Sequence, residues 1–148
     1  MASLHSKGTY ILILQLESDQ RIRIGRLGRF EFQKGWYAYV GSAFGPGGLT
    51  ARIGHHLKKA VKPHWHIDYL RKSTEIREVW ICEQERWEHT AAGLLLQLEG
   101  ASVPAPGFGS SDCRCESHLV HFREYPDLGE MLPRITELKF RPSQQFIA

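Results

Sequence analysis

An α+β fold, a small central antiparallel sheet flanked by helices, is what this sequence predicts, and three observations predict it. Residues Tyr10-Ile11-Leu12-Ile13-Leu14-Gln15-Leu16 are too apolar for the alternation of a half-exposed strand, so they form a central strand covered on both faces. In Trp36-Tyr37-Ala38-Tyr39-Val40-Gly41 the aromatic and β-branched residues suit a pleated surface. Leu49, Ile53, Leu57 and Val61 recur every four positions, the buried stripe of a helix.

In chain order, Gly8-Thr9-Tyr10 leads into the first strand. The segments Arg21-Ile22-Arg23-Ile24-Gly25 and Gly28-Arg29-Phe30-Glu31-Phe32 alternate polar and apolar residues around a glycine-containing turn, which predicts an inserted β-hairpin that extends the sheet. In the next strand a period of two sets Tyr37 and Tyr39 on one face, with Ala38 and Val40 on the other. Gly45-Pro46-Gly47-Gly48 cannot continue a strand, and its glycines can expose backbone N–H groups at the mouth of the helix from Leu49 to Val61, where phosphate is attracted. Pro63 opens a second helix through His66, Tyr69 and Leu70. Ile76 to Cys82 follows as a strand, and Glu85 to Leu98 as a helix ending at Gly100. The Pro-, Gly- and Ser-containing stretch 101–112 is a loop, and His118 to Phe122 a short strand. From Pro126 a short helix and a tail form a C-terminal extension (123–148) to a motif-bearing core of about 8–122, all in one domain of 1–148.

A chain of 148 residues with 42% hydrophobic and 24% charged residues has the composition of a single globular domain with its own core. It contains no apolar run long enough to span a membrane, and Met1 to Lys7 lack the apolar stretch of a signal peptide. Three cysteines argue against a disulfide framework and for a reducing, cytoplasmic setting, with Cys82 a buried thiol. The net charge of +3 does not by itself advertise a polyanionic partner. Its distribution does: between Arg52 and Lys72 six Lys or Arg and four His face the single acid Asp68, and Arg21, Arg23, Arg26 and Arg29 cluster on the inserted hairpin. Such clusters bind phosphate backbones through counterion release.

Arg52 and His56 repeat the helical spacing one position round from the apolar stripe, so they face a groove at the edge of the core. With Tyr10 and Tyr39 on adjacent strands they make a concave polar cluster suited to phosphodiester chemistry, where a planar guanidinium can grip two phosphate oxygens. The pattern resembles the GIY-YIG endonuclease superfamily over residues 8 to 122. It is most similar to the Uri-like stand-alone branch, through Gly35-Trp36-Tyr37-Ala38-Tyr39-Val40-Gly41-Ser42-Ala43, His64-Trp65-His66-Ile67-Asp68-Tyr69-Leu70 and Gly107-Phe108-Gly109-Ser110-Ser111-Asp112-Cys113. Two features depart from the superfamily pattern: the first motif reads Gly-Thr-Tyr, and the inserted hairpin leaves 28 residues between Tyr10 and Tyr39.

The resemblance implies a metal-dependent endonuclease that hydrolyses DNA phosphodiester bonds, in DNA repair or processing. Catalytic roles fall to Tyr10, Tyr39, Arg52, His56 and Glu88. Glu88 is the metal ligand, favoured by helix phase over Glu83, Glu85 and Glu99, and holds one Mg2+ or Mn2+. Arg52 would stabilise the transition state, and Tyr10, Tyr39 or His56 would take the proton of the attacking water. A tyrosine in that role needs its pKa lowered from about 10. Nucleic-acid contacts are expected from Gly41, Ser42, Lys58, Lys59, Lys62, His64, Arg23 and Arg29, with DNA rather than RNA as partner and no membrane. His64, His66 and Asp68 are not expected to bind metal, since on a helix only His64 and Asp68 align. Zinc is not expected on Cys113, Cys115, His118 and His121 either: Cys-x-Cys is tight for a zinc knuckle, and a strand turns His118 and His121 to opposite faces. Asp112 is expected to cap local backbone N–H groups. The alternative function is a catalytically silent nucleic-acid-binding or adaptor module, which would keep the basic face without needing Glu88 together with Arg52.

Overall fold

The structure is a computed structural model and describes residues 6–110 and 115–146. At its centre lies β1 (Gly8–Leu16), buried at every position except the half-buried Gln15. It pairs antiparallel along its whole length with β4 (Gly35–Ala43) and, on its other side, with β5 (Glu75–Glu83). The short strands β6 (Leu119–Phe122) and β7 (Arg141–Pro142) complete a five-stranded antiparallel sheet in the order β6-β4-β1-β5-β7.

Strand alternation divides the core between the two faces of this sheet. Tyr10, Leu12, Tyr37, Tyr39 and Ile81 pack with Leu49 and Ile53 of α1 (Gly48–Leu57) and Ile67 and Leu70 of α2 (His66–Arg71). Ile11, Ile13, Ala38 and Val40 face the other way, onto α3 (Glu88–Leu96), α4 (Leu128–Met131) and α5 (Arg134–Glu137). The tail is therefore part of the fold: Leu128, Leu132, Ile135 and Phe140 are buried in the second cluster.

The inserted hairpin exists, but it does not extend the sheet. β2 (Gln20–Ile24) and β3 (Gly28–Phe32), joined by a single 3-10 turn at Gly25–Leu27, form a two-stranded sheet of their own. Since β1 and β4 are already paired end to end, the hairpin has no ladder to join there, and it buries Ile24 and Phe32 in the first cluster instead. The first helix also stops short of the expected end. Lys58 is extended, and the buried Arg71 donates to the carbonyls of His56 (2.6 Å) and Leu57 (3.3 Å), which takes up the last carbonyls of α1. Val61 is 90% exposed, so its place in the four-residue repeat was accidental. The helix predicted from Pro63 begins three residues later, and the one predicted from Glu85 begins at Glu88.

Candidate active site

The first tyrosine enters the core because its neighbour across the ladder has no side chain. Tyr10 is completely buried and registers with Gly41, where a Cβ would run into the Tyr10 hydroxyl and ring. Its Oη lies 2.6 Å from Nε2 of His56, which is also buried. Burial first, and Tyr39 second, hold the Tyr10 pKa well above the ordinary tyrosine value, while Arg52 pulls the other way. Burial draws His56 down to about 3. At neutral pH the two groups are thus an uncharged hydrogen-bonded pair.

Tyr39 is the tyrosine that faces out. It lines a cavity of about 250 Å³ with Ser42, Arg52, His64, Trp65, His66, Glu88, His89, Gly109 and His118. Burial and then the charge of Glu88 raise the Tyr39 pKa, and Arg52 opposes them. Both tyrosines are therefore protonated in this arrangement, which departs from the lowered pKa that a tyrosine base requires.

Arg52 is held from two sides. Its Nη1 donates to the Ser42 carbonyl (3.1 Å), and its guanidinium lies 4.2 Å from the centroid of the Trp65 ring, a cation–π stack that holds it on the cavity wall. Trp65 is fixed in turn by Asp68, whose carboxylate accepts the backbone N–H of His64 (2.8 Å) and Trp65 (2.9 Å) and meets His55 Nε2 at 2.9 Å. Burial pushes the Asp68 pKa up, but these donors outweigh it and the net direction is down. His64 lies outside the helix, so Asp68 serves as a cap and the two do not form a ligand pair.

Glu88 is the first residue of α3, where the helix dipole favours a carboxylate. Thr9 puts it there: the Thr9 hydroxyl donates to the Glu85 carbonyl (2.7 Å) and accepts the Trp87 N–H (3.1 Å), tying the lead-in of α3 to the central strand. The Glu88 carboxylate comes within 3.7 Å of His118 Nδ1. Glu83 is engaged by Arg141 at 3.7 Å instead. Gly109 closes the opposite wall. Its φ of +70° disfavours any side chain, its contacts with Tyr39 and His118 would make one tight, and its N–H donates to His66 Nδ1 at 2.8 Å.

The fold thus gathers Tyr39, Ser42, Arg52, His64 and Glu88 around one cavity and sets Tyr10 and His56 behind it. Gly41 is a correction: it is buried and makes room for Tyr10, presenting nothing to a ligand. The helix mouth is another, because the N–H groups of Gly48 and Leu49 already donate to the carbonyls of Gly45 (3.2 Å) and Ser6 (2.9 Å). Lys58, Lys59 and Lys62 are exposed beyond the end of α1, with Lys59 paired to Glu75 at 3.0 Å. Arg23 and Arg29 are exposed directly opposite each other on the hairpin. Asp112 and Cys113 lie outside the described residues. His121 is turned away to the Lys34 carbonyl (3.1 Å) and the Tyr37 ring.

Sequence reasoning missed the supporting parts: Thr9 as a latch, Trp65 as the shelf under Arg52, and His89 and His118 on the cavity wall. Alternation along β6 places His118 on the side of Val120 and Phe122, which α3 covers, and that was the available signal. Residues 9–140 match the family model described as Domain of unknown function DUF123. No curated protein and no solved structure matches the chain.

Proposed function

We propose that this chain, which belongs to the family described as domain of unknown function DUF123, is a divalent-metal-dependent endonuclease acting on DNA phosphodiester bonds in repair or processing. The observation that carries this reading is the convergence of Arg52, Glu88 and Tyr39 on one cavity from a helix, a second helix and a strand. The resemblance to GIY-YIG nucleases names the same residues. Among the described residues Glu88 is the one carboxylate on the cavity wall, which fits a hard cation that keeps most of its waters. Held by Glu88, Mg2+ or Mn2+ would supply positive charge beside the scissile phosphate and cancel the push of the carboxylate on the Tyr39 pKa.

The residues divide the remaining work. Arg52, stacked on Trp65, is oriented before substrate arrives and stabilises the charge that grows on the phosphate. Tyr39 is the hydroxyl in reach of the attacking water. Tyr10 and His56, buried behind it, hold the strand and helix in register through their hydrogen bond. DNA would dock along the exposed Lys58, Lys59 and Lys62 and the arginines of the hairpin, in a reducing cytoplasm. Burial of Tyr10 and the raised tyrosine pKa values favour the competing reading of a catalytically silent binding module.

Cleavage of end-labelled DNA, with an RNA of the same sequence in parallel, separates the two. The wild-type chain should cut DNA only when Mg2+ or Mn2+ is present. Arg52→Ala and Glu88→Ala should each lower the rate by about 100-fold or more at unchanged melting temperature. Binding without metal-dependent cutting would establish the silent module.

A further inference from the structure

The zinc reading weighed on the sequence joined Cys113, Cys115, His118 and His121, a set the fold does not assemble because His121 points elsewhere. A different set does come together. His89 is the second residue of α3, and Cys115 and His118 lie just before β6. One donor atom from each lies within 4.8 Å of the others, with His89 Nδ1 and Cys115 Sγ 3.1 Å apart. The His89 and His118 rings are 5.7 Å apart between centroids.

We propose that His89, Cys115 and His118 form a binding site for a soft divalent cation of the zinc class, separate in chemistry from the single carboxylate of Glu88. Zn–S and Zn–N bonds of about 2.3 and 2.0–2.1 Å give a tetrahedron with edges of roughly 3.4–3.6 Å, so the observed separations close with small side-chain rotations. Two imidazoles and a thiolate suit zinc, whereas Mg2+ prefers oxygen. His89 and His118 both line the cavity, so three protein ligands leave a fourth position open toward it. That is the pattern of a zinc that carries water, as opposed to a closed structural site. The inference does not depend on nuclease activity.

The probe is Co2+ followed by Zn2+, titrated into the tag-free full-length chain under reducing conditions after removal of bound metal. One equivalent of Co2+ should give a thiolate-to-cobalt charge-transfer band that Zn2+ abolishes. Cys115→Ser should lose that band. Cys82→Ser should keep it, since that thiol is buried against the Leu138 carbonyl at 3.2 Å. Glu88→Gln should keep it as well, which distinguishes this site from the proposed Mg2+ ligand. His89→Gln, at an exposed position that leaves the core untouched, and His118→Gln should each weaken Zn2+ binding on the order of 100-fold. No charge-transfer band in the wild-type chain, a band that survives Cys115→Ser, or unchanged Zn2+ affinity in a folded His89→Gln variant would overturn the proposal.

Discussion

Removing one oxygen atom, in Tyr10→Phe, tests how the site is braced from behind. The Tyr10 hydroxyl and His56 Nε2 are 2.6 Å apart and both residues are shut off from solvent, at 0% and 1% exposure. Phenylalanine fills nearly the same volume but leaves Nε2 without its partner, and Nδ1 of the same ring makes no hydrogen bond among the described residues. A buried polar atom stripped of its partner costs about 1–3 kcal/mol. For a chain of this length each kcal/mol moves the melting temperature by about 2–4 °C, so a fall of roughly 2–12 °C is expected. Urea unfolding should report the loss as a lower midpoint at constant slope. Removing both partners, in Tyr10→Phe with His56→Leu, should cost less than the sum of the single changes, because no orphaned nitrogen remains. Cleavage should fall more in Tyr39→Phe than in Tyr10→Phe. A stability loss under about 0.5 kcal/mol, or strictly additive costs, would refute the buried pair as a brace.

Three further outcomes follow from the same geometry. The pKa values of His56 and His118 in the folded chain, about 3 and about 4, lie below the ordinary histidine value; between about pH 6.5 and 4 the unfolded chain binds protons that the folded one refuses, so the melting temperature, highest above that window, should fall on acidification, and less steeply in His56→Gln. Thr9→Val deletes both bonds to the lead-in of α3, and the concentration of Mn2+ needed for half-maximal cleavage should rise several-fold while Thr9→Ser restores it; an unchanged metal requirement would remove Thr9 as the latch of Glu88. Arg23 and Arg29, like charges placed directly opposite, repel unless an anion bridges them, and Arg23→Ala should reduce the slope of log affinity against log salt by about 1, as fluorescence anisotropy at several salt concentrations would measure.

The central strand and its neighbour were legible because burial on both faces leaves an unbroken apolar run, and nothing but a middle strand needs Ile11, Leu12, Ile13 and Leu14 in succession. The end of α1 was not legible. Val61 continued the repeat, and the group that stops the helix, Arg71, is distant in sequence and gives no local stop signal. The hairpin was readable as a hairpin, but its partner surface was not, since alternation fixes which side is apolar and says nothing of what it rests on. For the site, helix phase singled out Glu88 among its neighbours, and the structure has that residue at the start of α3 on the cavity wall. The meeting of Glu88 with His118 joins residues far apart in sequence, a contact that spacing cannot encode. The burial of Tyr10 was hidden for a related reason: motif position identifies both tyrosines, and only packing distinguishes the one in front from the one behind.

The edges of the main sheet have a consequence for how this protein meets its neighbours. On one side β7 lies against Trp80 and Ile81 of β5, and its last residue, Pro142, has no N–H to offer. Ser143 N–H continues the closure with a bond to the Val79 carbonyl at 2.8 Å. On the other side Ser102 and His121 exchange both backbone bonds, at 3.0 and 2.8 Å, across the short β6. Among the described residues each margin is thus interrupted part-way along, which shortens the edge on which a second strand could template itself. In a crowded solution the sheet should remain five strands wide, without stacking edge to edge into larger assemblies. A partner that binds at the cavity or along the basic flank would then be read by side chains.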